Sequence, residues 1–103
     1  MTLAILEPGH PQLVAVCRRH HVQRLAVFGS FVHGRFRPGE SDVDVLVEFS
    51  NLPPARYAQA YFGLKEELEG LLGHPVDLVT AESVHNPYRR EGIRNSERQL
   101  YAA

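Results

Sequence analysis

The sequence has one cysteine, one lysine, no tryptophan and no long hydrophobic run. Cys17 alone cannot form an intramolecular disulfide or a cysteine-based metal site, and its apolar surroundings at 13–17 predict a buried structural thiol. Lys65 follows no glycine-rich phosphate loop, so P-loop and kinase chemistry are not favoured. Because neither about 18 consecutive apolar residues nor a secretory signal pattern occurs, we expect a cytoplasmic protein with no membrane partner.

The composition is that of one small globular domain. The chain has 103 residues, of which 44% are hydrophobic and 22% charged, and we expect a single domain over 1–103. Its formal net charge is -1 and its pI is near 6.6. A protein that binds the phosphate backbone usually presents a basic surface, so direct nucleic-acid binding is not favoured.

Hydrophobic periodicity predicts a mixture of short helices and strands. The clearest strand is 42–49, where valines alternate with polar residues, and the clearest helix carries apolar residues from Tyr57 to Leu72 and ends at Gly73. Weaker patterns predict a first helix whose apolar face lies at 13–17 and ends in the polar cluster at 18–21, and strands at 22–28 and 75–79. A closing helix is predicted at 87–100, with Tyr88, Ile93 and Leu100 as its apolar anchors.

Two aspartates open the strand at 42–49. Side chains at i and i+2 of a strand lie on the same face, so Asp42 and Asp44 stand side by side while the neighbouring valines enter the core. Adjacent carboxylates repel one another, and a divalent cation such as Mg²⁺ neutralises them and prefers oxygen ligands. The pair alone is equally consistent with a solvated strand end.

A glycine and a serine follow the strand at 22–28. At Gly29 the backbone N–H groups can approach an anion closely, and Ser30 adds a hydroxyl donor, which together suit a triphosphate tail. Taken alone, this dipeptide is more typical of an ordinary turn. The G-S dipeptide followed along the chain by the aspartate pair is a more specific signal than either motif alone.

The segment 28–47, FGSFVHGRFRPGESDVDVLV, resembles the signature of the DNA polymerase β-like nucleotidyltransferase superfamily. In that family a strand ends in G-S and a second strand opens with D-x-D. A third carboxylate lies on a later strand, where this chain offers Asp77 within PVDLV. The ending at 86–101, NPYRREGIRNSERQLY, is similar to that of the minimal, single-domain members. The resemblance implies an α+β, polymerase β palm-like fold, with a small mixed sheet covered by helices.

The same resemblance implies roles for five residues. Asp42, Asp44 and Asp77 would be the catalytic carboxylates and would ligate two Mg²⁺ ions, with Asp77 serving the acceptor hydroxyl. Gly29 and Ser30 would bind the β and γ phosphates of ATP, which leave as pyrophosphate.

The loop between the two motifs departs from the family pattern by one additional residue, near positions 37–40. A loop tolerates such an insertion better than a strand does, so the site is expected to persist. Arg35 and Arg37 could neutralise phosphate charge, although solvated loop arginines are the more common case. The six histidines lack metal-ligand spacing and are expected at the surface or at caps, with His33 the one nearest the site.

Three functions remain compatible with the resemblance. The leading one is an antitoxin that transfers AMP from ATP to a protein hydroxyl, and the expected acceptor is a tyrosine of a co-encoded HEPN ribonuclease toxin. A chain without an acceptor domain needs its acceptor brought by another protein. A non-catalytic antitoxin that neutralises its partner by binding alone is the second. Transfer to a small molecule is the third, and the lack of a substrate-binding domain weighs against it.

Overall fold

Three α-helices and four β-strands form within residues 3–103, the part of the chain that the computed structural model describes. In chain order they are α1 (Pro11–Arg19), β1 (Val22–Phe28), β2 (Val43–Phe49), α2 (Pro54–Leu72), β3 (Val76–Thr80), α3 (Pro87–Ser96) and β4 (Arg98–Ala102). Short 3-10 helices lie at Leu3–Ile5 and Ala81–Ser83. None of the helices in this range has the length and hydrophobicity needed to cross a membrane.

The four strands form one mixed sheet in the order β3-β2-β1-β4. β1 pairs antiparallel with both β2 and β4, whereas β2 and β3 run parallel. A parallel pair needs a crossover connection, and α2 supplies it between β2 and β3. The expectation of a small mixed sheet covered by helices is therefore confirmed.

The main core lies between the sheet and helices α1 and α2. The valines of β2 at positions 43, 45 and 47 enter it, as the alternation in 42–49 predicts, and they meet leucines at positions 64, 68 and 72 of α2. Gly73 ends α2 in the left-handed conformation at φ 69°, as the sequence predicts. Cys17 is fully buried in this core, and burial raises the pKa of its thiol to about 12.

The opposite face of the sheet carries a smaller apolar cluster beneath α3. Leu46 lies at its centre and Ile93 reaches it from α3. The other members are Phe28, Val79 and Val84. Thus α3 covers the same face of β2 to which the aspartates belong, and this places a helix beside the candidate site.

The predicted closing helix at 87–100 is wrong beyond Ser96. Glu97 has extended backbone angles, and β4 begins at Arg98. Arg24 of β1 donates to the Glu97 carboxylate and to Gln99 Oε1 (2.9 Å), so tertiary contacts draw this segment onto the edge of the sheet. Leu100 is buried as predicted, but it lies on a strand and not on a helix. Tyr88 is 85% exposed and does not anchor the helix to any other part of the described chain. Ile93 alone is a helical anchor, as predicted.

The burial of Leu100 on β4 and the exposure of Tyr88 predict different effects of two substitutions. Leu100→Ala should lower the free energy of unfolding by about 2–5 kcal/mol, because it removes a buried side chain that is 1% exposed. Tyr88→Ala should change it by no more than about 0.5 kcal/mol, because the ring makes little contact. Chemical denaturation followed by circular dichroism measures both values. Similar losses for the two variants would contradict the assignment of Leu100 to a core strand.

Candidate active site

Three neighbouring strands bring the predicted site residues into one row across the sheet. Phe28, at the end of β1, pairs with Asp44 of β2, and Asp44 pairs with Asp77 of β3. Residues paired across a ladder lie on the same face, so Asp44 and Asp77 are direct neighbours. Asp42, two residues before Asp44, continues this face at the start of β2 and is exposed, as is Asp77. The structure thus brings all three predicted carboxylates to one edge.

The turn after β1 is fitted closely against Asp44. Gly29 has φ +73°, and a Cβ atom at this position would overlap the Oδ2 atom of Asp44. Position 29 therefore requires glycine for two reasons, because both the backbone angle and the adjoining carboxylate of Asp44 exclude a side chain. The turn is closed by N–H groups of His33 and Arg35, which donate to the carbonyls of Gly29 (3.2 Å) and Ser30 (2.8 Å).

The backbone N–H of Ser30 donates to the Asp44 carboxylate. An amide at this point of the turn therefore already binds an anionic oxygen, which is the interaction that a phosphate group requires. The Ser30 side chain is half-buried beside it. The positions of Gly29 and Ser30 agree with a phosphate-binding role, which remains a prediction.

The electrostatics of the row centre on Asp44. Partial burial, together with the negative charges of Asp77 and Asp42, raises the pKa of Asp44 above its usual range. The positive charge of Arg89 and the Ser30 N–H act in the opposite direction without cancelling the increase. The row is a site of concentrated negative charge, and a cation bound there would be strongly favoured.

Asp42, Asp44 and Asp77 are the candidate donor set for Mg²⁺. As the side chains stand, no group of three His, Cys, Asp or Glu residues in the range 3–103 is arranged to hold a metal ion. The chemistry nonetheless fits, because all three are hard oxygen donors and Asp44 carries the repulsion that a cation would relieve. The assignment of Asp42, Asp44 and Asp77 as metal ligands therefore remains a prediction.

The cation whose charge acts on Asp44 was not identified from the sequence. Arg89, in the first turn of α3, influences Asp44, whereas Arg37 pairs with Glu40 (3.7 Å) in the exposed loop. Arg35 is also exposed and contributes its backbone N–H to the turn. A basic residue in the first turn opposes the helix dipole, and this is the one signal that could have drawn attention to Arg89.

The close approach of Gly29 to Asp44 can be measured with a matched control. Gly34 lies in the same loop at φ +71°, and a Cβ there would meet nothing within 4 Å. Both Gly29→Ala and Gly34→Ala should carry the backbone strain of roughly 1–2 kcal/mol, but only Gly29→Ala should lose additional stability through collision with Asp44. Thermal denaturation compares the two variants.

The double variant Gly29→Ala, Asp44→Ala isolates the collision. Relative to Asp44→Ala, the Gly29 substitution should then cost only about as much as Gly34→Ala does, because the obstructing carboxylate is gone. If Gly29→Ala and Gly34→Ala are equally destabilised in the unsubstituted background, the contact with Asp44 does not constrain the turn.

Comparison with known proteins agrees with this geometry. The model of the nucleotidyltransferase domain family matches residues 12–100. A predicted protein adenylyltransferase of Methanocaldococcus jannaschii is 40% identical over 75 residues, which is 73% of each chain.

Two solved structures share the fold. The structure of a predicted minimal nucleotidyltransferase superposes with a TM-score of 0.69 and 36% identity, covering 84% of this chain and 83% of that one. A tri-AMPylated Shewanella oneidensis HEPN toxin in complex with its MNT antitoxin matches with a TM-score of 0.59 and 21% identity, over 89% of this chain and 68% of the matched chain. The chain therefore belongs to the nucleotidyltransferase domain family and is one of its minimal members.

Proposed function

We propose that the protein is a Mg²⁺-dependent adenylyltransferase that transfers AMP from ATP to a tyrosine hydroxyl of a HEPN-type toxin, and that it acts as the antitoxin of this partner. The observation that carries the proposal is the row formed by the Gly29–Ser30 turn, Asp44 and Asp77 across three adjacent strands. A phosphate-binding turn, a metal-binding pair and a third carboxylate in this order suit a displacement at phosphorus.

The residues of the row have separate roles in the proposed reaction. The hydroxyl group of Ser30, together with the backbone of the Gly29–Ser30 turn, binds the β and γ phosphates that leave as pyrophosphate. Asp42, Asp44 and Asp77 would together hold the Mg²⁺ ions. Asp77, on the neighbouring strand, orients the attacking hydroxyl and accepts its proton. When bound, Mg²⁺ supplies positive charge that stabilises the attacking and leaving oxygens.

Arg89 has a supporting role in this scheme. Its positive charge already acts on Asp44, and an arginine beside the carboxylates can interact with phosphate oxygens as they enter. The exposed Arg35 and Arg37 are less suited to that role, since Arg37 is paired with Glu40. The positively charged group at the site therefore comes from α3 rather than from the loop.

A protein acceptor is supported by two kinds of observation. The M. jannaschii relative is described as a protein adenylyltransferase, and the S. oneidensis complex contains an AMPylated HEPN toxin. The near-neutral net charge of this chain also suits a protein partner better than nucleic acid. A cytoplasmic location follows from the use of ATP.

The proposal predicts loss of transfer on removal of the carboxylate charge. Incubating the protein with its HEPN partner, ATP and Mg²⁺ should add one or more AMP masses to the partner in intact mass spectrometry, and chelation should prevent this. Asp42→Asn and Asp44→Asn should each reduce the transfer rate by roughly 100-fold or more, because each removes charge from the site that binds the cation. Glu40→Gln, a carboxylate in the exposed loop, is the matched control and should retain the rate.

The same experiment separates catalysis from binding alone. Size-exclusion chromatography shows whether each aspartate variant still forms the complex, and a ribonuclease assay measures the activity of the partner. Full suppression of the toxin by a variant that transfers no AMP would replace the catalytic proposal with a binding-only antitoxin. Undiminished transfer by both variants would show that the metal site is assigned to the wrong residues.

A further inference from the structure

The tyrosines of the chain differ in how far their hydroxyl groups are open to solvent. Tyr88 is 85% exposed, and neither its ring nor its hydroxyl has a partner within residues 3–103. The other three are partly buried. The Tyr61 hydroxyl donates to a backbone carbonyl (2.6 Å), and the rings of Tyr57 and Tyr101 pack against Phe49 and the main core, respectively. Tyr88 therefore presents the most accessible phenolic hydroxyl of the chain.

The backbone at Tyr88 is held in place by the cap of α3. Asn86 is the N-cap residue, and its Oδ1 atom accepts hydrogen bonds from the backbone N–H groups of Tyr88 (2.9 Å) and Arg89 (3.2 Å). Pro87, at the start of the helix, has a φ angle that its ring fixes in advance. The exposed ring of Tyr88 therefore projects from an ordered turn.

Tyr88 lies at the end of α3 that adjoins the aspartates. The charge of Arg89, the next residue, acts on Asp44, whereas Glu97 at the opposite end of the helix pairs with Arg24 of β1. Side chains on a helix lean toward its N-terminus, so the Tyr88 ring leans toward the end near the aspartates. Because the ring is almost fully exposed, its hydroxyl is open to the site of a second molecule and is not enclosed in the site of its own chain.

The neighbours of Tyr88 on the helix leave its ring uncovered and supply positive charge. The residue four positions later, whose side chain would lean back over the ring, is Gly92, and a Cβ atom there would meet nothing within 4 Å. Arg89 and Arg90 follow the tyrosine directly and outnumber Glu91, the acidic residue of the same turn. A phosphodiester on the tyrosine would carry one negative charge, which nearby guanidinium groups stabilise.

We propose that Tyr88 is itself an acceptor, and that one copy of the protein transfers AMP from ATP to Tyr88 of a second copy. This inference rests on the proposed function, which takes a tyrosine hydroxyl of a protein as its acceptor. The phenolic oxygen of Tyr88 forms a bond to the α-phosphorus, the bond from that phosphorus to the oxygen bridging to the β phosphate breaks, and pyrophosphate leaves. The phenolic proton passes to Asp77 of the copy that binds ATP.

The first test uses the full chain without its HEPN partner. Incubation with ATP and Mg²⁺ should add one AMP mass to the protein in intact mass spectrometry, and peptide mapping should place it on Tyr88. Tyr88→Phe should lose the added mass and keep its fold, because the substitution removes only an exposed hydroxyl. Tyr101→Phe, at a half-buried position of β4, is the matched control and should be modified like the unsubstituted protein. Equal modification of Tyr88→Phe would overturn the assignment.

A mixture of two variants shows whether the transfer passes between copies. Asp44→Asn keeps the acceptor but lacks the proposed activity, and Tyr88→Phe keeps the activity but lacks the acceptor. When both are incubated with ATP and Mg²⁺, AMP should appear on Asp44→Asn alone, in an amount that rises with the concentration of Tyr88→Phe. AMP on neither variant, while Tyr88→Phe still modifies the HEPN partner, would overturn the inference and leave the proposed function intact. If neither the partner nor the protein is modified by the unsubstituted chain, the proposed function itself fails.

Discussion

The site depends on the register between β1 and β2. Phe28 pairs with Asp44, and this pairing places the turn that follows β1 directly against the carboxylate. A shift by one residue would turn Asp44 toward the main core and the valines of β2 toward the opposite face, because side chains alternate along a strand. Burial of Val43, Val45 and Val47 therefore fixes the register, and the same packing that stabilises the sheet positions the reactive groups.

Concentrating acidic groups at one edge of the sheet has an energetic cost. The increase in the pKa of Asp44 shows that its ionised form is disfavoured by burial and by the neighbouring aspartates. Residues selected for stability alone would not create this repulsion, and functional sites commonly tolerate such a cost because a ligand relieves it. Arg89 and the Ser30 N–H compensate only in part, which leaves a site whose charge favours a cation.

Much of the fold and site could be predicted from local patterns. The alternation in 42–49 and the helical periodicity ending at Gly73 involve enough residues to be unambiguous, and the G-S and D-x-D motifs lie next to these elements. The pairing of Asp44 with Asp77 required the resemblance, because strand order is not contained in periodicity. The predicted end of the closing helix was wrong for a different reason. Glu97 leaves the helix because it contacts Arg24, a residue 73 positions earlier.

The same long-range contact explains why α3 contributes to the site in a way the sequence did not reveal. No sequence pattern singles out Arg24 on β1, yet its side chain joins β1 to β2 through Glu48 and to the end of α3 through Glu97. With that end fixed over the sheet, the start of α3 brings the charge of Arg89 to act on Asp44, and the middle of the helix packs Ile93 into the cluster around Leu46. One arginine thus links the orientation of the helix to both the charge at the carboxylates and the apolar packing on the same face of the sheet.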